Sequence, residues 1–170
     1  DIISENDKFE DAKTSSESEN VVRIMSIHQS KGLEFPVCFL CGCNKGFNYI
    51  DSRNDIVFTR KLGLSTRIRD ESGFIRYDTP IRAAVSLEIT RNTIDEQMRV
   101  LYVALTRARE RLIVTARAKD ASKFLEEIRL SSSYISNYSL SQNPSYIKWI
   151  LSALYTSEYD DCCIIRTADN

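Results

Sequence analysis

The run of residues 36–42 (PVCFLCG) constrains the fold most, because it is apolar at nearly every position. A strand with one solvent-exposed face alternates apolar and polar residues, whereas a strand that is buried on both faces does not. A second β-prone run, residues 112–116 (LIVTA), follows a long stretch with helical periodicity. Strands that alternate with helices predict an α/β fold with a parallel sheet flanked by helices.

The helical stretch is predicted over residues 79–109, with Pro80 suited to its first turn. Its apolar residues recur at steps of four and three, which places them on one stripe: Ile94, Met98, Leu101, Leu105 and Ala108. A second row, Arg99, Val103 and Arg107, lies on roughly the opposite side. A valine between two arginines favours a face that packs into a cleft.

The other segments carry weaker signals. Residues 21–26 (VVRIMS) and 55–60 (DIVFTR) are predicted strands, and residues 61–73 an irregular surface excursion. Residues 119–129 and 145–155 are predicted helices, with a loop at 131–141 between them. Residues 1–20 are polar and lack periodicity, which indicates a linker or a cut edge. The predicted organisation is therefore one domain over 21–156, preceded by 1–20 and followed by a tail at 157–170.

Composition limits the partners. The net charge of −1 gives no global basic field, so any DNA contact must be local. No apolar run reaches the roughly 18–20 residues of a membrane helix, and the acidic start is unlike a signal peptide. Five cysteines without a pairing pattern fit a reducing cytoplasm. Cys38 and Cys41 match a CxxC spacing, but buried or free thiols explain them better than zinc.

The segment 30–35 (SKGLEF) is the first candidate binding loop. Gly32 allows a positive φ or a close backbone approach, and Lys31 and Glu34 flank it. We expect the loop near the carboxyl end of the strand at 21–26, where open α/β sheets bind ligands. Glu34 could accept hydrogen bonds from a sugar hydroxyl, although an ordinary turn with solvated charges explains the same spacing. His28, the only histidine, is by itself better explained as a structural residue than as a catalyst.

An arginine cluster is the second candidate, with Arg99, Arg107, Arg109 and Arg111 within thirteen residues. Arginine forks match phosphate oxygens, but arginines near a helix end also complement its dipole and form surface ion pairs. The spacing leaves both interpretations open. No phosphate-loop pattern of the GxxxxGK[ST] type occurs. Residues 95–98 (DEQM) do not end a buried strand, as the acidic motif that binds magnesium in NTPases would.

Taken together, the two candidate regions resemble superfamily 1 DNA helicases of the UvrD/Rep/PcrA type. IMSIHQSKGLEFPVCFL (24–40) is similar to helicase motif V, and MRVLYVALTRARERL (98–112) is similar to motif VI. KLGL (61–64) and SYIKWIL (145–151) resemble the AddA subunits of bacterial helicase–nucleases. The resemblance covers about residues 21–155 and implies the C-terminal RecA-like domain (2A), with residues 1–20 returning from the inserted 2B domain.

The resemblance also implies roles for single residues. Arg107 matches the motif VI arginine that contacts the γ-phosphate as an arginine finger, with Arg99 and Tyr102 as supports. Glu34 and Gly32 match the motif V positions at the nucleotide, Glu34 at the ribose. Ser26, His28 and Lys31 match the motif V positions implied to bind DNA, with serine in place of the usual threonine. For Lys31 the resemblance leaves both the nucleotide and DNA open as the group that it faces.

For the whole protein, the resemblance implies an ATP-driven 3′→5′ DNA helicase and translocase that serves double-strand-break repair. ATP and Mg²⁺ would be bound mainly by the N-terminal RecA-like domain of the same protein, and the partner would be a second helicase–nuclease subunit. The predicted location is the cytoplasm, without membrane contact. The alternative is a non-catalytic NTPase-like module that binds DNA or protein. It predicts Arg107 in an internal salt bridge, away from Glu34.

Overall fold

A computed structural model describes residues 21–131, 141, 144–156 and 164–167. Ten elements follow one another along these residues: β1 (Phe35–Leu40), α1 (Ile50–Arg53), β2 (Ile56–Thr59), β3 (Gly63–Thr66), β4 (Ile68–Arg69), β5 (Arg76–Tyr77), α2 (Pro80–Leu105), β6 (Ala108–Val114), α3 (Ala121–Ser131) and α4 (Tyr146–Thr156).

The centre of the fold is the parallel pair β1–β6, with Phe35 opposite Ala108 and Leu40 opposite Val114. This pair, together with the helices, confirms a mixed α/β fold. The sequence predicts a sheet with both faces covered by helices, and this is not found among the described residues. There the parallel sheet has only these two strands, and Phe39 is 66% exposed.

Helix α2 begins as its sequence predicts and ends earlier. The Thr79 side chain accepts a hydrogen bond from the Arg82 backbone N–H at 3.1 Å, and Pro80 occupies the first turn. The helix ends at Leu105, so the predicted end at residue 109 is wrong. The physical reason is pairing with β1, because the Phe35 N–H donates to the Arg107 carbonyl at 2.9 Å and Ala108 enters β6.

The core lies where α2 packs against the other elements. Val85 is fully buried in the first half of α2, and Leu101 and Ala104 are buried in the second half. From the hairpin β2–β3, Val57 and Thr59 are buried. The alternating pattern of β2, with one buried and one exposed face, identifies the side of the hairpin that faces α2.

Two local predictions from sequence are wrong. Residues 61–73 are not irregular, because β3 pairs antiparallel with β2 and β4 pairs with β5. Residues 21–26 form no strand, and Val22 and Ile24 are 95% and 98% exposed. A β-prone sequence forms a strand only where a neighbouring strand takes up its backbone hydrogen bonds. Among the described residues, none pairs with this segment.

The C-terminal helices lie close to their predicted bounds and pack on each other. Phe47, Tyr146 and Trp149 form an aromatic cluster with ring centroids 4.8–6.3 Å apart. Most of the predicted loop 131–141 lies outside the described residues, as do Cys162, Cys163 and the segment 1–20. Among the described helices, none is both long and apolar enough to span a membrane.

Candidate functional site

A single helical turn precedes β1 and is closed by Ser26 and Gln29. The Gln29 side-chain oxygen accepts from the Ser26 backbone N–H at 3.1 Å, and Ser26 Oγ accepts from the Gln29 N–H at 3.3 Å. This reciprocal arrangement is a capping box. Ser30, buried behind it, donates its hydroxyl to the Ile27 carbonyl at 2.7 Å. The turn is therefore held by its own side chains.

Gly32 turns the chain from this helical turn into β1. Its φ is +86°, in the left-handed region that favours glycine, as the sequence predicts. No atom lies within 4 Å of the position that a Cβ would take. The requirement for glycine is therefore a matter of backbone conformation. The Leu33 N–H returns to the Ser30 carbonyl at 3.0 Å and completes the turn.

Arg107 follows the end of α2 and ties the helix to the turn. Its Nε donates to the Val103 carbonyl at 2.8 Å, its Nη1 to the Leu33 carbonyl at 2.8 Å, and its Nη2 to Thr106 Oγ1 at 2.9 Å. The side chain is half-buried. No carboxylate pairs with it among the described residues. Arg107 is thus positioned by neutral oxygens and not by an internal salt bridge.

Glu34 and Arg107 lie at the same end of the parallel pair. Glu34 directly precedes Phe35 and Arg107 directly precedes Ala108, and Phe35 and Ala108 are partners in the register. Glu34 Oε2 accepts from Arg109 Nε at 3.0 Å, and both side chains are exposed. The expected carboxyl-end location is wrong, since this site lies at the amino ends of β1 and β6. The reason is that residues 21–26 form no strand whose carboxyl end the loop could follow.

The other predicted residues are spread around this centre. His28 and Lys31 are exposed on the capped turn, where the Lys31 N–H donates to the His28 carbonyl at 3.3 Å. Arg99 lies on α2 and pairs with Glu96 at 3.4 Å in solvent, and its support of Arg107 stays a prediction. Tyr102 contributes its backbone carbonyl, which accepts from the Thr106 hydroxyl at 3.0 Å.

Of the three cysteines in and after β1, Cys43 is buried, Cys38 is partly buried and Cys41 is exposed. Burial raises the pKa of Cys38, and the positive charge of Arg107 opposes that rise. Burial, with a smaller contribution from Cys41, raises the pKa of Cys43 to about 11. Within the part of the chain that the structure describes, no three His, Cys, Asp or Glu side chains cluster as a metal site would require.

A basic groove of about 730 Å³ lies at the opposite, carboxyl ends of β1 and β6. Four cations line it: Arg117, Lys119, Lys123 and Lys148. Asp120 and Glu127 are the acidic members, but the Asp120 carboxylate accepts from the Lys123 backbone N–H at 2.9 Å and caps α3. Phe124 adds an aromatic side chain to the lining. Cations beside an aromatic ring are the usual composition of a single-stranded nucleic-acid groove.

Comparison with known proteins decides the family. The model of the UvrD-like helicase C-terminal domain matches residues 2–119. The chain belongs to this family. It is also 44% identical over 147 residues to the A subunit of the ATP-dependent helicase/nuclease from Clostridium botulinum (strain Alaska E43 / Type E3), a match that covers 84% of this chain and 12% of the relative. The same-named proteins of Clostridium perfringens (strain ATCC 13124) and Ruminiclostridium cellulolyticum are 42% and 39% identical and cover 94% and 92% of the chain.

In this UvrD-like helicase domain, sequence reasoning missed three features of the site. The pattern Ser26-x-x-Gln29 is a capping-box signature that could have predicted the closed turn. The bond between Glu34 and Arg109 spans 75 positions, which no local pattern indicates. The basic groove joins three segments that are distant in sequence, 44–46, 117–127 and 145–148, and no local pattern indicates this either. The chain spans 13% or less of the length of the curated relatives named above, so much of their length lies outside this domain.

Proposed function

We propose that this chain is the second RecA-like motor domain (2A) of an ATP-driven DNA helicase and translocase of the helicase–nuclease type. Its family supports this, as does its similarity to proteins named as the A subunit of an ATP-dependent helicase/nuclease. Residues 21–156 form the domain in this proposal, residues 1–20 return from an inserted domain, and residues 157–170 are a tail. The full-length protein moves 3′→5′ on DNA during double-strand-break repair, with a second subunit, in the cytoplasm.

The observation that carries the proposal is the juxtaposition of Arg107 and Glu34 at the amino ends of β1 and β6. A guanidinium and a carboxylate at one end of a sheet supply a donor for phosphate oxygens and an acceptor for a ribose hydroxyl. The alternative of a non-catalytic module predicts Arg107 in a salt bridge away from Glu34. The contacts of Arg107 with Leu33 and Thr106 favour the motor domain instead.

In the proposal, Arg107 donates to the γ-phosphate from a side chain that backbone carbonyls already hold in place. A guanidinium carries five N–H donors, and three of them are used to hold the side chain in place. One N–H therefore remains on each of Nη1 and Nη2, and each can donate to a phosphate oxygen. Because the side chain is fixed before ATP arrives, it loses little rotamer freedom on binding. An arginine finger is worth about 10³–10⁵ in rate.

Glu34 is held from one side only. Arg109 donates to Oε2, which leaves Oε1 as an acceptor on an exposed carboxylate. In the proposal, Oε1 accepts a hydrogen bond from the ribose of ATP, and Gly32 gives the nucleotide room because its backbone carries no Cβ. This contact orients the nucleotide and contributes affinity more than rate.

The rest of the ATP site comes from elsewhere in the same polypeptide. This sequence holds no phosphate-loop pattern. We therefore place ATP and Mg²⁺ chiefly on the N-terminal RecA-like domain, with Arg107 reaching the γ-phosphate across the cleft. Mg²⁺ would neutralise developing charge on the phosphates when it is bound there. The chain by itself is expected not to hydrolyse ATP.

DNA is proposed to contact two surfaces of the domain. Ser26, His28 and Lys31 lie on the capped turn beside the ATP site, so movement of that turn couples nucleotide and DNA. The basic groove at the other end of the strands offers cations for phosphates and Phe124 for base stacking. Because the chain as a whole is slightly acidic, the affinity must come from such local surfaces.

The test uses the full-length protein with single substitutions. Arg107→Ala is expected to reduce DNA-stimulated ATPase by about 10³-fold or more while ATP binding falls far less. Arg107→Lys is the matched control, because it keeps the positive charge and loses the planar guanidinium with its paired N–H donors. We expect its ATPase activity to remain strongly impaired. Glu34→Gln is expected to raise KM for ATP with a smaller effect on kcat. Normal turnover in Arg107→Ala would remove the assigned role.

A further inference from the structure

The outer face of the hairpin β2–β3 exposes large apolar side chains. Ile56, Phe58 and Leu64 are 63%, 61% and 69% exposed, and Phe58 lies directly opposite Leu64 in the register. The inner face is already used, because Val57 and Thr59 are buried. The large apolar side chains therefore lie on the face that does not pack against α2, whereas a hairpin with one face in water normally carries polar residues there. Clustered exposed apolar side chains mark interaction surfaces.

A groove of about 670 Å³ runs between this hairpin and α2. Phe58 and Ile89 supply its apolar lining, and Arg60 lies beside them. Lys61 and Glu88 approach to 3.9 Å across it. Among the described residues Arg60 has no ion-pair partner. The groove thus offers an apolar site for a side chain with an unpaired cation next to it.

An ion network keeps the hairpin region in place. Arg67 donates to Asp55 at 2.8 Å and to Asp78 at 2.9 Å, and Arg76 donates to Asp55 at 2.9 Å. Arg82, which is buried in α2, also pairs with Asp78 at 3.2 Å. These contacts fix β2–β3 and β4–β5 relative to α2. A surface that is ordered in advance loses less conformational entropy when a partner binds.

We infer that the outer face of β2–β3 and the adjoining groove bind an amphipathic segment from another domain of the same polypeptide. The inference rests on the proposed function, which makes this chain one domain of a longer motor protein. The length supports it, because the chain spans 12% of the first relative named above, and the remainder supplies ample surface. The segment presents apolar side chains to Phe58 and Leu64 and a carboxylate to Arg60.

The test places a photo-crosslinking residue, p-benzoylphenylalanine, at position 58 of the full-length protein. The matched control places it at position 130, since Leu130 is 74% exposed on α3, away from the hairpin. We expect position 58 to link to a segment of the same polypeptide outside residues 1–170. Its yield should exceed that of position 130 several-fold and be unchanged on dilution, as an intramolecular contact requires.

Three results would overturn the inference. These are a dilution-sensitive link to a second copy, a link to a different protein, and a yield at position 58 no higher than at position 130. The DNA-stimulated ATPase of the same preparations separates the two proposals. If ATPase is absent, the proposed function fails whatever the crosslinks show. If ATPase is present and position 58 does not link within the chain, the docking surface alone fails.

Discussion

Arg107 is expected to stabilise this domain as well as to serve ATP hydrolysis, and unfolding of the Arg107→Ala variant measures the stabilising role. The substitution removes the bonds from the guanidinium to the Val103 and Leu33 carbonyls, both 2.8 Å long. Hydrogen bonds to charged groups contribute about 1.5–3 kcal/mol each, and the half-buried setting favours the lower value. The bond to Thr106 is exposed and contributes little. The expected loss is therefore about 3 kcal/mol of unfolding free energy.

Urea unfolding of this chain measures that loss through the midpoint and the m-value. Arg111→Ala is the matched control, since Arg111 is exposed in β6 and makes no ion pair among the described residues; its expected change is under about 0.5 kcal/mol. Arg107→Lys should recover part of the loss, because one ammonium group cannot bridge the same acceptors. A loss below about 1 kcal/mol for Arg107→Ala, with the m-value unchanged, would refute the positioning argument.

Three further predictions concern backbone conformation, pH and thiol chemistry. Gly32→Ala should cost about 1–2 kcal/mol in urea unfolding, because φ is +86° and no neighbour obstructs a Cβ, and Gly32→Asn should cost less. A hydrogen bond from Arg67 lowers the pKa of Asp55, so its contribution to stability is present above about pH 4 and lost as the pH falls through the lowered folded-state value. Asp55→Asn should make the unfolding free energy depend less on pH in the acid range. With its pKa raised to about 11, the buried Cys43 should be alkylated far more slowly at pH 8 than the exposed Cys41, as mapped by mass spectrometry; equal rates would contradict the described burial.

The sequence predicts the elements whose signals are strong and local. The apolar run at 36–42 corresponds to β1, and the periodic stretch that begins after Thr79 corresponds to α2. The end of α2 could not be predicted locally, because the Phe35 N–H, more than seventy positions away, takes the Arg107 carbonyl. The strand predicted at 21–26 does not form, because no neighbouring strand among the described residues pairs with this β-prone segment.

The sequence predicted which residues form the candidate site better than it predicted their positions and contacts. Its resemblance to motifs V and VI selects Arg107 and Glu34, and the structure places both residues at one end of the parallel pair. Two of the interactions that hold them arise from contacts distant in sequence, namely Leu33 with Arg107 and Glu34 with Arg109. Spacing alone placed Arg107 on a helical face, whereas it lies in the turn between α2 and β6.

The most direct test of the central claim is a structure of the full-length protein with DNA and a transition-state mimic such as ADP–aluminium fluoride with Mg²⁺. We expect the free N–H groups of Arg107 within about 3 Å of the fluorides that replace the γ-phosphate oxygens, and Glu34 within the same distance of a ribose hydroxyl. The nucleotide should otherwise be held by the N-terminal RecA-like domain. A mimic bound with Arg107 directed away from it, or with Glu34 far from the ribose, would contradict the account.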